Sequence, residues 1–190
     1  MEQLLSHLDA AYNLARWLTR NATDAEDVVQ EAYLRAFKYY GSFKGGDCRK
    51  WLLGIVRNTC YTWLSLNRSG ELEVAFDEEI HSRNNDEADP ETMLIRGENT
   101  KLLGLALEEL PVEFREVLIL RELEGMSYQE IAQIANIPVG TVMSRLARAR
   151  KRLRAVLTHQ ANRRAERTPK VTRRRSLTRP LIEFVITAHS

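Results

Sequence analysis

Residues 110–154, LPVEFREVLILRELEGMSYQEIAQIANIPVGTVMSRLARARKRLR, carry two helical patterns separated by a breaker, and the second is loaded with arginine. Ser127 and Glu130 stand at the S-x-x-E spacing of a capping box, which predicts a helix opening at Ser127. Gly125 suits a left-handed exit from the helix before it. Ile131, Ile134 and Ala135 recur at i, i+3, i+4 and give the short helix one apolar face. Asn136-Ile137-Pro138 ends it, because proline disfavours helical geometry in the preceding residue. Beyond the break, Val142, Leu146, Ala149 and Leu153 recur at steps of four, three and four and predict a core-facing stripe. Thr141, Ser144, Arg145, Arg148 and Arg152 lie off that stripe. A guanidinium takes guanine bidentately or holds phosphate, and the start of a recognition helix is where side chains reach base edges. The pattern is a helix-turn-helix and its expected partner is DNA. A solvated, charged helix of a bundle is the plainer reading.

Residues 1–66 supply a second helical unit. Thr23 with Glu26 reads as another capping box, opening the helix DAEDVVQEAYLRAFKYY with Val29, Ala32, Tyr33, Ala36 and Phe37 as its buried stripe. Asp24, Asp27, Gln30, Glu31, Leu34 and Arg35 are left for another surface. A leucine among acidic and amide groups fits a protein-binding face, although a solvated face accounts for the others. Gly45-Gly46-Asp47 marks a loop, after which Trp51, Leu52, Ile55, Val56 and Leu64 give a helical apolar pattern. Arg49, Lys50, Arg57, Asn58, Tyr61, Thr62 and Arg68 decorate the rest of that helix. Basic groups interleaved with aromatics suit single-stranded DNA, since charge follows the backbone while rings stack on unpaired bases. The alternative is an ordinary amphipathic helix, and for Trp51 a place in its core is the preferred reading.

Residues 67–95 lose helical periodicity and turn acidic, with nine Asp or Glu between Glu71 and Glu91 against Arg83 alone. They are expected to form a flexible linker. As a coil of about 29 residues it holds its ends roughly 30 Å apart, and fully extended it spans roughly 95 Å. The net charge of +2 conceals its distribution: fourteen of the 28 Lys and Arg residues lie in 145–179, where Glu166 is the only acid. Such a segment should bind phosphate and lose affinity as salt rises. Of it, 163–179 is expected to be a solvated, disordered tail rather than a DNA-tethering arm.

Leu110-Pro111, Arg115, Leu123-Glu124-Gly125, Ser127-Tyr128, Glu130-Ile131-Ala132, the run from Ile137 to Val142, Ser144-Arg145-Leu146 and Arg148-Ala149-Arg150 resemble region 4 of bacterial extracytoplasmic-function sigma factors. TDAEDVVQEAYLRAF resembles sigma region 2.2, and residues 43–68 resemble regions 2.3 and 2.4. The resemblance implies an all-α chain of two small helical domains: region 2 over 1–66, the acidic linker over 67–95, region 4 over 96–158, and a basic extension over 159–190. It implies core RNA polymerase, promoter DNA and an anti-sigma factor as partners, the last controlling the first two. It places polymerase contacts at Asp27, Gln30, Glu31, Leu34 and Arg35. Contacts to the melted −10 strand fall at Phe43, Lys44, Gly45, Asn58, Tyr61 and Thr62. Contacts to the −35 duplex fall at Thr141, Met143, Ser144, Arg145, Arg148 and Arg152. Met143 departs from the basic residue common in relatives, and Cys48 stands where relatives often carry an aromatic.

Other classes are weaker. A conventional helix-turn-helix regulator, with 1–66 as an effector or dimer module, is the second reading, and an enzyme with a DNA anchor is a remote third. Cys48 and Cys60 have no His or Cys near them at ligand spacing, so neither a metal site nor another cofactor is expected. No nucleophile–base pair or glycine-rich phosphate loop is present, and no catalysis is expected. Without an apolar run of about 18 residues or a signal peptide, a cytoplasmic protein with reduced thiols is expected.

Overall fold

The computed structural model describes residues 2–43, 45–67 and 102–167, and every regular element among them is helical. The N-terminal unit holds α1 (Glu2–Leu5), α2 (Leu8–Thr19), α3 (Ala22–Lys38), a 3-10 turn at Tyr40–Ser42, and α4 (Cys48–Leu66). The C-terminal unit holds α5 (102–108), α6 (Val112–Leu118) with a π-helical turn over Ile119–Leu123, α7 (Tyr128–Ala135) and α8 (Val139–Arg167). The all-α expectation holds for these residues. The acidic stretch 68–95 lies outside them.

In the first unit α2, α3 and α4 pack against one another. Leu14 and Leu18, Ala25, Ala32 and Ala36, and Leu52, Leu53 and Val56 are almost wholly removed from solvent. The alanines on α3 leave room for the leucines of its neighbours, so the three helices interdigitate. The start of α3 differs from the expected capping box. Arg20 takes a left-handed conformation that closes α2, and Asn21 directly follows in extended geometry. The Asn21 side chain therefore accepts the Asp24 N–H and caps the helix two residues before Thr23. The buried stripe is also rotated: Ala25 and Val28 join it, whereas Phe37 is 40% exposed at its edge, against the Tyr33 ring.

The second unit follows its sequence pattern closely. Ser127 accepts the Glu130 N–H, and the Glu130 carboxylate accepts the Ser127 N–H at 2.7 Å, so both halves of the capping box form. These bonds hold the Glu130 carboxyl below its ordinary pKa. Gly125, at φ +65°, supplies the left-handed turn before the cap, and Asn136 at φ +53° closes α7. Val142, Leu146, Ala149 and Leu153 are all buried, and Leu157 extends their stripe. α8 does not stop at 158, where the basic extension was expected to begin, but continues unbroken through Arg167, into the first residues of the stretch 163–179 expected to be a tail. Good helix formers in RRAER explain the continuation. Residues 168–190 lie outside the described part.

Leu146→Ala is expected to lower unfolding free energy by about 2–5 kcal/mol, because it opens a cavity where α8 meets its neighbours. Met143→Ala, one turn away and 54% exposed, should stay within about 0.5 kcal/mol. Urea denaturation of the two variants checks the assigned helical face.

Candidate nucleic-acid interface

Three surfaces carry the expected contacts. On α3, Asp27, Gln30, Glu31 and Leu34 are exposed at helical spacing on one side. Leu34 is 64% exposed, and Arg35 donates from Nε to Glu31 at 2.7 Å within the same face. Phe37 and Tyr39 lie beside it, also exposed. The face thus joins acidic and amide groups to exposed apolar side chains, a composition suited to a protein surface.

The loop before α4 is built on an aromatic cluster. The Phe43 ring lies 5.1 Å from Trp51, and Tyr40 meets Trp51 edge-on at 6.4 Å. Phe43 and Trp51 are half-buried. Phe43 therefore anchors the loop base, and its ring is already engaged. Gly45 and Gly46 take φ of +85° and +104°, a turn that L side chains rarely adopt, and both are exposed. Lys44 lies outside the described residues. Asp47 caps α4 by accepting the Lys50 N–H, which fixes where the loop ends. Cys48 is buried beneath the loop, in the position that the sequence flagged as unusual.

Along α4, Asn58 and Thr62 are exposed, and Thr62 donates its hydroxyl to the Asn58 carbonyl. Tyr61 is engaged differently. Its hydroxyl donates to Glu116 of α6 at 2.8 Å, and burial beside that carboxylate raises its pKa. On α8, Met143, Ser144, Arg148 and Arg152 are exposed, while Thr141 and Arg145 are half-buried. Arg152 covers the Phe114 ring at 5.1 Å, and Arg150, absent from the expected contacts, pairs with Glu122 at 2.6 Å. Arg145 lies close enough to Tyr61 to act on its titration. Of the −10 and −35 candidates, Tyr61 and Arg145 are thus brought near each other across the two units.

Beside a shared apolar core, the seam between the two units carries polar contacts that the sequence patterns did not show. Glu116 is wholly buried and is held by Arg57 Nε at 2.7 Å as well as by Tyr61. At its other end, the buried Glu124 accepts from the Arg49 guanidinium and from Asn13. Arg49 also donates to the Glu124 carbonyl at 2.9 Å. Desolvation nonetheless raises the Glu124 pKa. Arg20 donates to the Glu108 carbonyl across the same seam. Arg115 is 2% exposed, and its Nε and Nη1 have no partner among the described residues. Burial, reinforced by the charge of Arg20, pulls its pKa down to about 9, which leaves it charged at neutral pH. The only hint in the sequence was two glutamates inside a helix pattern whose neighbours are apolar.

Among the described residues, no group of three or more His, Cys, Asp or Glu could hold a metal ion. No described helix is long and apolar enough to cross a membrane.

Comparison with known proteins agrees with this geometry. Residues 4–69 match the family model described as sigma-70 region 2, and residues 100–153 match sigma-70, region 4. The chain is 36% identical over 135 residues to the ECF RNA polymerase sigma-E factor of Escherichia coli, covering 67% of this chain and 71% of that one. The sigma-E factor of Haemophilus influenzae is 34% identical over 145 residues, at 73% and 76% coverage. Against the sigma factor SigE of Mycolicibacterium smegmatis, identity is 32% over 166 residues, with 87% of this chain and 64% of that protein spanned. A solved structure of the sigma factor RpoE with the anti-sigma factor NepR from Bartonella quintana superposes with TM-score 0.64 at 29% identity, covering 83% of this chain and 95% of that one.

Cys60 offers a test of the seam. Burial, with Glu116 nearby, pushes its thiol up to about 12. An unfolded cysteine ionises near 8.5, so above that pH the unfolded chain gives up a proton that the native chain keeps. Stability from this group is therefore complete below pH ~8.5 and is lost as pH climbs toward 12. The stability advantage of the natural chain over Cys60→Ala should shrink between pH 8 and pH 10.5, by at most about 1.4 kcal/mol per unit. Urea unfolding of both at each pH measures it; an advantage independent of pH would mean that the thiol is not so enclosed.

Proposed function

The chain belongs to the extracytoplasmic-function sigma factors, and from that premise we propose that it is the promoter-specificity subunit of bacterial RNA polymerase. It binds core polymerase, recognises −10 and −35 elements and promotes initiation. The observation that carries the reading is the presence on one chain of both sigma regions, with an exposed polar and apolar face on the first and an arginine-bearing recognition helix on the second.

The roles divide by surface. Asp27, Gln30, Glu31, Leu34 and Arg35 on α3 dock on core polymerase. Gly45 and its loop, with Asn58, Tyr61 and Thr62 on α4, hold the melted −10 strand, and Phe43 supports them from below. Thr141, Met143, Ser144, Arg145, Arg148 and Arg152 face the −35 duplex. The chain itself breaks no covalent bond: it binds the open promoter better than the closed one, and that difference shifts the DNA equilibrium. An anti-sigma factor is a natural regulator, a reading supported by the neighbour solved with NepR. The work is cytoplasmic, where polymerase and promoter are.

In transcription reactions with bacterial core polymerase and genomic promoter fragments, start sites should appear only when the chain is added. Silence combined with duplex binding by the chain alone would sink the proposal. Arg148→Ala should reduce −35-dependent initiation on the order of tenfold, as for loss of one base or phosphate contact, with core affinity unchanged. Equal loss of both would make Arg148 structural. The double variant Asp27→Ala, Gln30→Ala should do the reverse, impairing core binding with helicity retained in circular dichroism.

A further inference from the structure

We propose that Arg57 and Tyr61 form an anion clamp for a phosphodiester of the single promoter strand, and that Glu116 fills this clamp while the two halves of the chain are closed. The proposal rests on α4 as the −10 surface and adds to it a ligand group and an occupant.

The two donors converge from one helix face, four residues apart. Arg57 Nε reaches one carboxylate oxygen of Glu116 at 2.7 Å, and the Tyr61 hydroxyl reaches the other at 2.8 Å. The guanidinium lies over the Tyr61 ring at 4.1 Å, and Arg57 Nη1 donates to Asn58 Oδ1 at 3.1 Å. These contacts fix the guanidinium before any ligand arrives, so little side-chain freedom remains to be lost on binding. Two donors aimed at two oxygens of one anion suit a carboxylate and equally the non-bridging oxygens of a phosphodiester. Asn58 and Thr62, exposed beside the clamp, are placed for the bases of a strand whose phosphate it grips.

Glu116 is thus a protein anion seated where a nucleic-acid anion would bind. It belongs to α6 in the opposite unit, so the clamp is free only when the seam opens. The seam also carries a defect that favours opening. Arg115, the residue before Glu116, is buried with two guanidinium nitrogens unpartnered among the described residues. Opening returns it to water and relieves that cost.

The test uses the full chain and a fluorescent single-stranded DNA of random sequence, about 12 nucleotides long, within the usual range of single-strand site sizes. A matching strand with uncharged methylphosphonate linkages serves as control. Glu116→Gln keeps the side chain's shape but removes the charge that holds the donors. Glu124→Ala loosens the far end of the seam without touching the clamp. Both should bind the DNA about tenfold tighter than the natural chain, as expected if only about a tenth of it is open. Neither should gain on the uncharged strand. Arg57→Ala added to either variant should abolish the gain. Unchanged affinity in whichever variants keep native helicity, an equal gain on the uncharged strand, or a gain that survives loss of Arg57 would each overturn the clamp. The outcome is separate from the sigma assignment. A tighter, Arg57-dependent complex from a chain that directs no transcription would keep the clamp and remove the promoter role. Polymerase-dependent start sites with no gain would do the opposite.

Discussion

A carboxylate with no access to water must be paired, and Glu116 is one. Its donors, Arg57 and Tyr61, come from the other half of the chain. These side chains tie α6 to α4 across the seam, where α6 packs on α2 and α4 packs on α7. Glu124 repeats the constraint nearer the start of α4, through Arg49 and Asn13. With the Arg20–Glu108 bond, these points set the register of one unit on the other, beside the apolar core that the two share. Buried ion pairs contribute little net stability, since desolvation offsets the attraction, but losing one partner costs about 3–5 kcal/mol. Their effect here is on which arrangement forms. The same enclosure raises the Tyr61 and Cys60 pKa values, because both sit beside the Glu116 charge in poorly solvated surroundings.

The arginines of α8 divide by what they already touch. Arg150 is committed to Glu122, and Arg152 stacks on Phe114, so each helps to hold α6 and its π turn against the recognition helix. Arg148 projects from the exposed side, as far round the helix as the buried Leu146 and Ala149 allow. Arg145 is half-buried, near enough to Tyr61 for its charge to act on that hydroxyl. A charged helix is thus not a uniform cationic rod. Its apolar stripe orients it, two guanidiniums secure it, Arg148 faces outward, and the helix backbone runs on to Arg167.

Where one residue type does one job, the sequence was legible. The Ser127–Glu130 box, the left-handed Gly125 and the Val142–Leu146–Ala149–Leu153 stripe are local, and each appears in the fold as its spacing predicts. The expected polymerase face is exposed, as its polar pattern required. At the start of α3 the expected Thr23 cap does not form. The left-handed Arg20 decided for Asn21, a geometry that no pattern of apolar residues reports. The seam was less legible still. Arg57 and Tyr61 read as part of a basic and aromatic helix face suited to single-stranded DNA, whereas in the fold both are half-buried against Glu116. What a sequence cannot display is that the acid meeting it lies more than fifty residues away across the acidic linker.

From this follows a coupling between the seam and the strand. Glu116 and a phosphodiester compete for the same two donors, so closure and strand binding exclude each other at this point. Any partner that binds the separated halves better than the closed pair releases the clamp, by as much as its affinities for the two states differ. The threshold is modest because closure leaves Arg115 buried and incompletely bonded among the described residues. A fully satisfied seam would hold region 2 shut against all but the tightest partner. A seam without buried carboxylates would leave the clamp open to any nucleic acid. The combination of two well-paired glutamates with Arg115, poorly paired among the described residues, sets the closed state between those limits.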